Sequence, residues 1–141
     1  MSTSTYTRRR MSQTHGQQWT RSSTSIIVLG FSQGNEVETS VARRHPDLVD
    51  GIVMLSGIVV NSSHAYFRDQ SASATDFPVI GGRDPHDGIL PQPFVSYTNR
   101  WLTGFTHVTV KDYEEMGHRI SAVEAEDVAS FLDRMTRSTA E

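Results

Sequence analysis

Ile26-Ile27-Val28-Leu29-Gly30-Phe31-Ser32-Gln33-Gly34 is the stretch that decides the reading of this chain: an apolar run that ends in G-x-S-x-G and passes at once into a helical pattern. A buried strand that turns this sharply into a helix holds the serine on a tight elbow, its hydroxyl exposed above the end of the sheet. The flanking glycines, Gly30 and Gly34, have a steric reason. A Cβ at either position is expected to collide with the neighbouring strand or helix, and glycine also accepts unusual backbone angles. Such an elbow is a place for acyl chemistry.

A serine hydroxyl is a weak nucleophile at neutral pH, so it needs a base and a third group to orient that base. Both follow downstream. Phe77-Pro78-Val79-Ile80 reads as a short buried strand that runs into Gly81-Gly82-Arg83-Asp84-Pro85-His86-Asp87-Gly88, a turn-rich loop with two carboxylates at the strand's C-terminal end. His107-Val108-Thr109-Val110 predicts another strand, leading through Tyr113-Glu114-Glu115-Met116 to Gly117-His118. Ser121-Ala122-Val123-Glu124 has the S-x-x-E form of a capping box. That puts His118 in a loop between a strand and a helix start, where its ring can be aimed rather than buried.

The coarse order is strand 26–29, helix 34–44, strand 51–56, a polar connection through 61–76, strand 78–81, helix 92–103, strand 107–113 and helix 121–136. Ile52-Val53-Met54-Leu55 is apolar at every position, as in a parallel strand covered on both faces. Alternating such strands with helices gives an α/β sheet. Val128, Phe131, Leu132 and Met135 share one face of the last helix and should dock it on that sheet. In the elbow helix Val37 and Val41 form an i, i+4 pair, read as a narrow buried stripe. That helix should stop before Pro46.

At 141 residues and 36% hydrophobic the chain has the size of one domain. Residues 1–25 are about half Ser and Thr, with four arginines and no acid. They read as a disordered tail or a targeting presequence, and 26–141 as the folded domain. The net charge of −3 hides an asymmetry, since the first 25 residues carry +4 and the rest therefore −7. An acidic domain argues against nucleic acid as a partner. No apolar stretch reaches the roughly 18 residues needed to cross a membrane, and a cytoplasmic location is expected, with organellar targeting by the tail as the alternative. With no Cys there is no disulfide framework and no thiol chemistry.

G-F-S-Q-G at 30–34, the G-x-x-D-P loop at 81–85 and G-H at 117–118 resemble the phospholipase/carboxylesterase family of α/β-hydrolases, which includes acyl-protein thioesterases and small bacterial carboxylesterases. The likeness runs from about Ser25 to Met135, and His45 to Gly57 is similar to the end of that family's elbow helix and its following strand. The resemblance implies a serine hydrolase of esters and thioesters that needs no cofactor, with Ser32 as nucleophile, His118 as base and the backbone N–H of Gln33 as one oxyanion donor. For the acid, Gly81-x-x-Asp84-Pro85 fits the front half of the family's loop, and Asp87-Gly88-Ile89-Leu90-Pro91 fits the back half. Asp84 is preferred, with Asp87 as the alternative.

Departures from the family are equally informative. The elbow continues as Asn35-Glu36-Val37-Glu38 where small residues are usual. The strands that precede the elbow in that fold, and the loop that gives the second oxyanion donor, have no counterpart in the 31 residues before Ser32. His15-Gly16 is only faintly similar to the family's oxyanion H-G. The fold expected is thus a partial α/β-hydrolase: a mostly parallel sheet with flanking helices, lacking the usual N-terminal strands. Four strands leave an exposed edge, so either a homo-oligomer that covers it or a marginally stable fragment is expected.

His86 with Asp84 and Asp87 reads as a solvated turn rather than a metal site, and no metal is assigned. His45, His64 and His107 read as surface or strand-end residues. Trp101, Leu102 and Phe105 are assigned to helix packing before an acyl pocket, and Tyr66 and Phe67 are candidate lid residues by position. The function expected is hydrolysis of short-chain carboxylic esters or thioesters through an acyl-enzyme on Ser32. The alternative is a catalytically silent hydrolase-fold protein that serves as an interaction module.

Overall fold

The structure, a computed structural model, describes residues 10–13, 19–22 and 24–139. Its centre is a four-stranded parallel sheet in the order β3-β4-β5-β6, formed by β3 (Ile27–Phe31), β4 (Gly51–Leu55), β5 (Val79–Arg83) and β6 (Val108–Asp112). Helices α1 (Gln33–Arg44), α2 (Asp69–Thr75), α3 (Gln92–Leu102) and α4 (Ala122–Thr139) make the crossovers and the C-terminal layer. This is the expected partial α/β-hydrolase arrangement. Two shorter strands, β1 (Arg10–Gln13) and β2 (Trp19–Ser22), pair antiparallel in a separate ribbon. They lie in a tract whose polar sequence carried no strand signal, and His15-Gly16 falls outside the described residues.

β4 is the reason both faces need cover: all five of its residues are buried. Successive side chains leave a strand on opposite faces. Ile52 and Met54 accordingly join Ala42, Phe77, Leu102 and Phe105 on one face, while Val53 and Leu55 join Ile80, Val128 and Phe131 on the other. Leu132 and Met135 complete the second cluster, so the last helix docks by the face expected of it. Trp101, Leu102 and Phe105 pack into the first cluster, the helix packing expected of them, and Leu102 also lines a small pocket with Met54, Thr98 and Val110. Only half of the capping box forms at α4: the Glu124 N–H donates to Ser121 Oγ at 3.2 Å, but the Glu124 carboxyl has no hydrogen-bond partner among the described residues.

The inner face of α1 corrects the sequence reading. Val37 and Val41 are 63% and 41% exposed, and the buried residues are Asn35, Glu38, Thr39, Ala42 and Arg43. A polar inner face is tolerable when its groups are satisfied, and Arg43 is. Its guanidinium donates to both carboxylate oxygens of Asp69 at 2.8 and 2.9 Å, to the Val60 carbonyl at 2.6 Å and to the Ser62 carbonyl at 2.7 Å. It also lies 4.0 Å from the centre of the Phe67 ring. This one side chain pins the 57–69 connection to the sheet's flank and fixes the start of α2, a helix within the stretch that reads from sequence as a polar connection.

Candidate active site

The parallel register decides which loops meet. Phe31 stands opposite Leu55 and Arg83 opposite Asp112, so the residues following β3, β5 and β6 all emerge at the carboxyl end of the sheet, where sheets of this kind bind ligands. Strands lie about 4.8 Å apart, and a side chain leaving β6 must therefore reach back roughly 14 Å to stand over β3. The long loop from Tyr113 to Ser121 spans that gap.

Ser32 follows β3 and has φ 55° and ψ −120°, a backbone conformation that non-glycine residues rarely adopt. Strain of this kind costs about 1–3 kcal/mol and persists only where the surroundings enforce it. Here they do. The Ser32 N–H donates to the Leu55 carbonyl at 2.9 Å, and the Asn35 N–H to the Ser32 carbonyl at 3.0 Å. The buried Asn35 amide grips the same point of β4, giving an N–H to the Leu55 carbonyl at 3.1 Å and accepting the Leu55 N–H at 3.2 Å. Sequence reasoning noticed Asn35 only as a departure from small residues; its role was missed.

The two elbow glycines differ. A Cβ on Gly30 would overlap the carbonyl group of Gly34 and come within 2.7 Å of the Asn35 nitrogen. A Cβ on Gly34 would meet nothing within 4 Å, so the collision expected there is absent.

Ser32 Oγ lies 2.8 Å from His118 Nε2, and His118 Nδ1 lies 2.7 Å from Asp87 Oδ2. A carboxylate only accepts, so Nδ1 carries the proton; in the neutral ring Nε2 is then the acceptor and the Ser32 hydroxyl donates to it. Asp87 is 6% exposed, and its other oxygen accepts the Ile89 N–H at 2.9 Å. The Phe31 ring stands 5.3 Å from the imidazole at a tilt of 40°, a contact the sequence reading missed although Phe31 occupies the first variable position of the elbow. Gln33 is the first residue of α1. Its N–H is among those an α-helix leaves without an intrahelical acceptor, at the positive end of the helix dipole.

Asp84, the carboxylate preferred from sequence, does not touch His118. Its Oδ2 accepts the Gly117 N–H at 2.7 Å and its Oδ1 the His86 N–H at 2.8 Å. Those bonds, Gly117's first, hold its carboxyl below the usual range. The carboxylate within hydrogen-bond reach of the His118 ring is that of Asp87. Among the described residues Asp84, His86 and Glu114 bring potential metal ligands within 4.8 Å of one another, but Asp84 spends both oxygens on backbone N–H groups and the other two are exposed. Tyr66 and Phe67 stack on Arg44 and Arg43. These arginines end α1, and Tyr66 shares with Gln33, Val37 and Val41 the lining of an open groove along that helix. His45, His64 and His107 are exposed, as expected. No helix among the described residues is long and apolar enough to cross a membrane.

Solved structures with the same fold include esterase PE8 (21% identity, TM-score 0.60, covering 77% of this chain and 49% of that one). They also include Zea mays acyl-protein thioesterase 2 (19%, 0.61, 79% and 56%) and the Bacillus cereus carboxylesterase (17%, 0.60, 78% and 50%). This chain thus spans about half the length of the structures it matches. Comparison with curated protein sequences finds no match. The family model for phospholipases and carboxylesterases matches residues 7–136, a span that opens within the tract read above as a tail, and the chain belongs to that family.

Proposed function

We propose that this protein is a serine esterase that hydrolyses short-chain carboxylic esters or thioesters through an acyl-enzyme on Ser32. The observation that carries the reading is the unbroken relay from Ser32 Oγ through His118 to Asp87, at 2.8 and 2.7 Å. Ser32 Oγ attacks the carbonyl carbon while His118 Nε2 takes its proton. Asp87 accepts from Nδ1–H and stabilises the imidazolium that forms. The oxyanion develops beside the Gln33 N–H, where a preorganised donor is most effective. Collapse of the tetrahedral intermediate expels the alcohol or thiol with the proton held on Nε2. A water then gives its proton to His118 and attacks the acyl carbon, and the second intermediate expels Ser32 Oγ, which takes that proton back from Nε2 as the acid leaves.

Hydrolysis of p-nitrophenyl acetate tests this directly. The Ser32→Ala protein should be inactive, and a fluorophosphonate adduct on the parent should map to Ser32 by mass spectrometry. Equal rates for parent and Ser32→Ala, with no adduct, reject the reading.

A second reading, the silent interaction module, is favoured by one observation. Leu29 on β3 is 53% exposed, and β3 has no strand beyond it among the described residues. The same surface would serve a homo-oligomer that covers this edge. Sedimentation of a single monomeric species over a wide concentration range rejects that oligomer without bearing on Ser32.

A further inference from the structure

We propose that Asp84 is a positioning residue that ties the loop bearing Asp87 to the loop bearing His118 and so holds those two side chains in register. The inference rests on the serine-hydrolase reading above and extends it to a residue outside the relay.

The two aspartates do the same thing three residues apart. Each spends one oxygen inside its own loop on the N–H two residues on: Asp84 Oδ1 accepts from His86 at 2.8 Å and Asp87 Oδ1 from Ile89 at 2.9 Å. Such Asx turns shape the loop locally. Each then sends its second oxygen across to the other loop. Asp84 Oδ2 takes the Gly117 N–H at 2.7 Å, and Asp87 Oδ2 takes the His118 Nδ1–H at 2.7 Å. The two crossings land on consecutive residues. One fixes the backbone immediately before the histidine, and the other fixes its ring.

The histidine loop needs such a tie. Glu115 and Gly117 both have positive φ, 59° and 69°, and for Glu115 that conformation costs roughly 1–2 kcal/mol. The strand-end bond from the Tyr113 N–H to the Arg83 carbonyl at 2.9 Å lies five residues before His118. Asp84 supplies a link next to it, from a side chain 5% exposed that no substrate needs to reach. A carboxylate suits the task better than an amide, because both oxygens must accept. Catalytic groups must be held to about 0.5 Å, and a displacement of about 1 Å costs on the order of 10²-fold in rate.

The test is a double-mutant cycle of Asp84→Asn and Asp87→Asn, read as kcat on p-nitrophenyl acetate. Asp84→Asn should lower kcat roughly 10²-fold with little change in KM. The same substitution in the Asp87→Asn background should add little, because a residue acting through Asp87 has nothing left to position. An equal loss in both backgrounds would make Asp84 a general structural residue and overturn the proposal. So would a near-normal Asp87→Asn beside a dead Asp84→Asn, which would make Asp84 the orienting acid. Proton NMR gives a readout independent of turnover. The downfield His118 Nδ1–H resonance of the parent should be lost or broadened in Asp84→Asn and in Asp84→Ser, a second variant that keeps an acceptor for His86; its persistence unshifted in a folded variant refutes the proposal. Should the parent hydrolyse nothing and take no fluorophosphonate, the esterase reading fails by itself, and the resonance still decides whether Asp84 sets the His118 geometry.

Discussion

Replacing Glu38 with glutamine should make the protein more stable at pH 7, by an amount that shrinks as the pH falls towards 4.5. Glu38 sits on the inner face of α1, 5% exposed, and neither of its carboxyl oxygens has a hydrogen-bond partner among the described residues. Burial pushes its pKa up to about 9 from 4.5. The folded protein therefore keeps this proton through neutrality, whereas the unfolded chain releases it near its ordinary value. Between those limits the unfolded state binds fewer protons, so stability falls as pH rises. From 4.5 to 7 is about 2.5 pH units at about 1.4 kcal/mol each, roughly 3 kcal/mol. Glutamine keeps the shape and cannot ionise, so its own burial cost is independent of pH. The carboxyl of Glu124 is also raised by burial, but it is present in both proteins and cancels in their difference. Urea unfolding followed by tryptophan fluorescence measures that difference, and with slopes of about 1–3 kcal/mol per molar the midpoints should separate by about 1 M or more at pH 7. A difference that stays constant within about 0.5 kcal/mol from pH 5 to pH 8 refutes the argument.

The elbow glycines should part company on substitution. Gly30→Ala forces a Cβ into the Gly34 backbone and should cost about 1–3 kcal/mol or more, whereas Gly34→Ala enters open space and should gain up to about 1 kcal/mol from helix propensity; thermal melts that rank the two equally would reject the geometry. Arg43→Ala leaves Asp69 its Trp101 N–H but frees the carbonyls of Val60 and Ser62, so a loss of about 2–3 kcal/mol is expected, and one below about 1 would show that the 57–69 connection is held by other contacts. Asp87→Asn should reduce esterase kcat about 10⁴-fold by putting an N–H where His118 must donate, which favours the wrong tautomer.

The strands were legible because a doubly covered parallel strand is apolar at every position, and Ile52 to Leu55 is. The elbow was legible because its motif is short and its strand adjacent. What the chain concealed were interactions whose second partner is far away in sequence. α2 offers one buried apolar residue, Ala72, in seven, so no periodicity could announce it; its first residue, Asp69, is fixed by Arg43 and Trp101. Val37 and Val41 looked like the inner stripe of α1 because apolar residues usually face inwards. The true inner face is polar, and Asn35 and Arg43 are satisfied there by backbone groups of Leu55, Val60 and Ser62. Which of Asp84 and Asp87 lies against the His118 ring is a matter of reach. Both project from one loop towards one histidine loop, and Asp84 arrives one residue early, at the Gly117 N–H.

All members of the proposed relay come from the carboxyl end of one parallel sheet, so on that proposal this chain carries every group of the proton path itself. The oxyanion side is different. Among the described residues only the Gln33 N–H is placed as a donor by the elbow, and each donor of this kind is worth about 10²–10³ in kcat. A protein working with that donor alone should therefore acylate and deacylate some 10²–10³-fold more slowly than an esterase with two, while Ser32 still takes fluorophosphonate. Because the relay and the donors act on separate factors of the rate, turnover and covalent labelling can be read against each other. Labelling with slow turnover means an intact relay and one donor. Labelling with fast turnover means that a second donor reaches Ser32 from beyond the residues described. Turnover without labelling at Ser32 would place the chemistry elsewhere and undo the assignment of the relay itself.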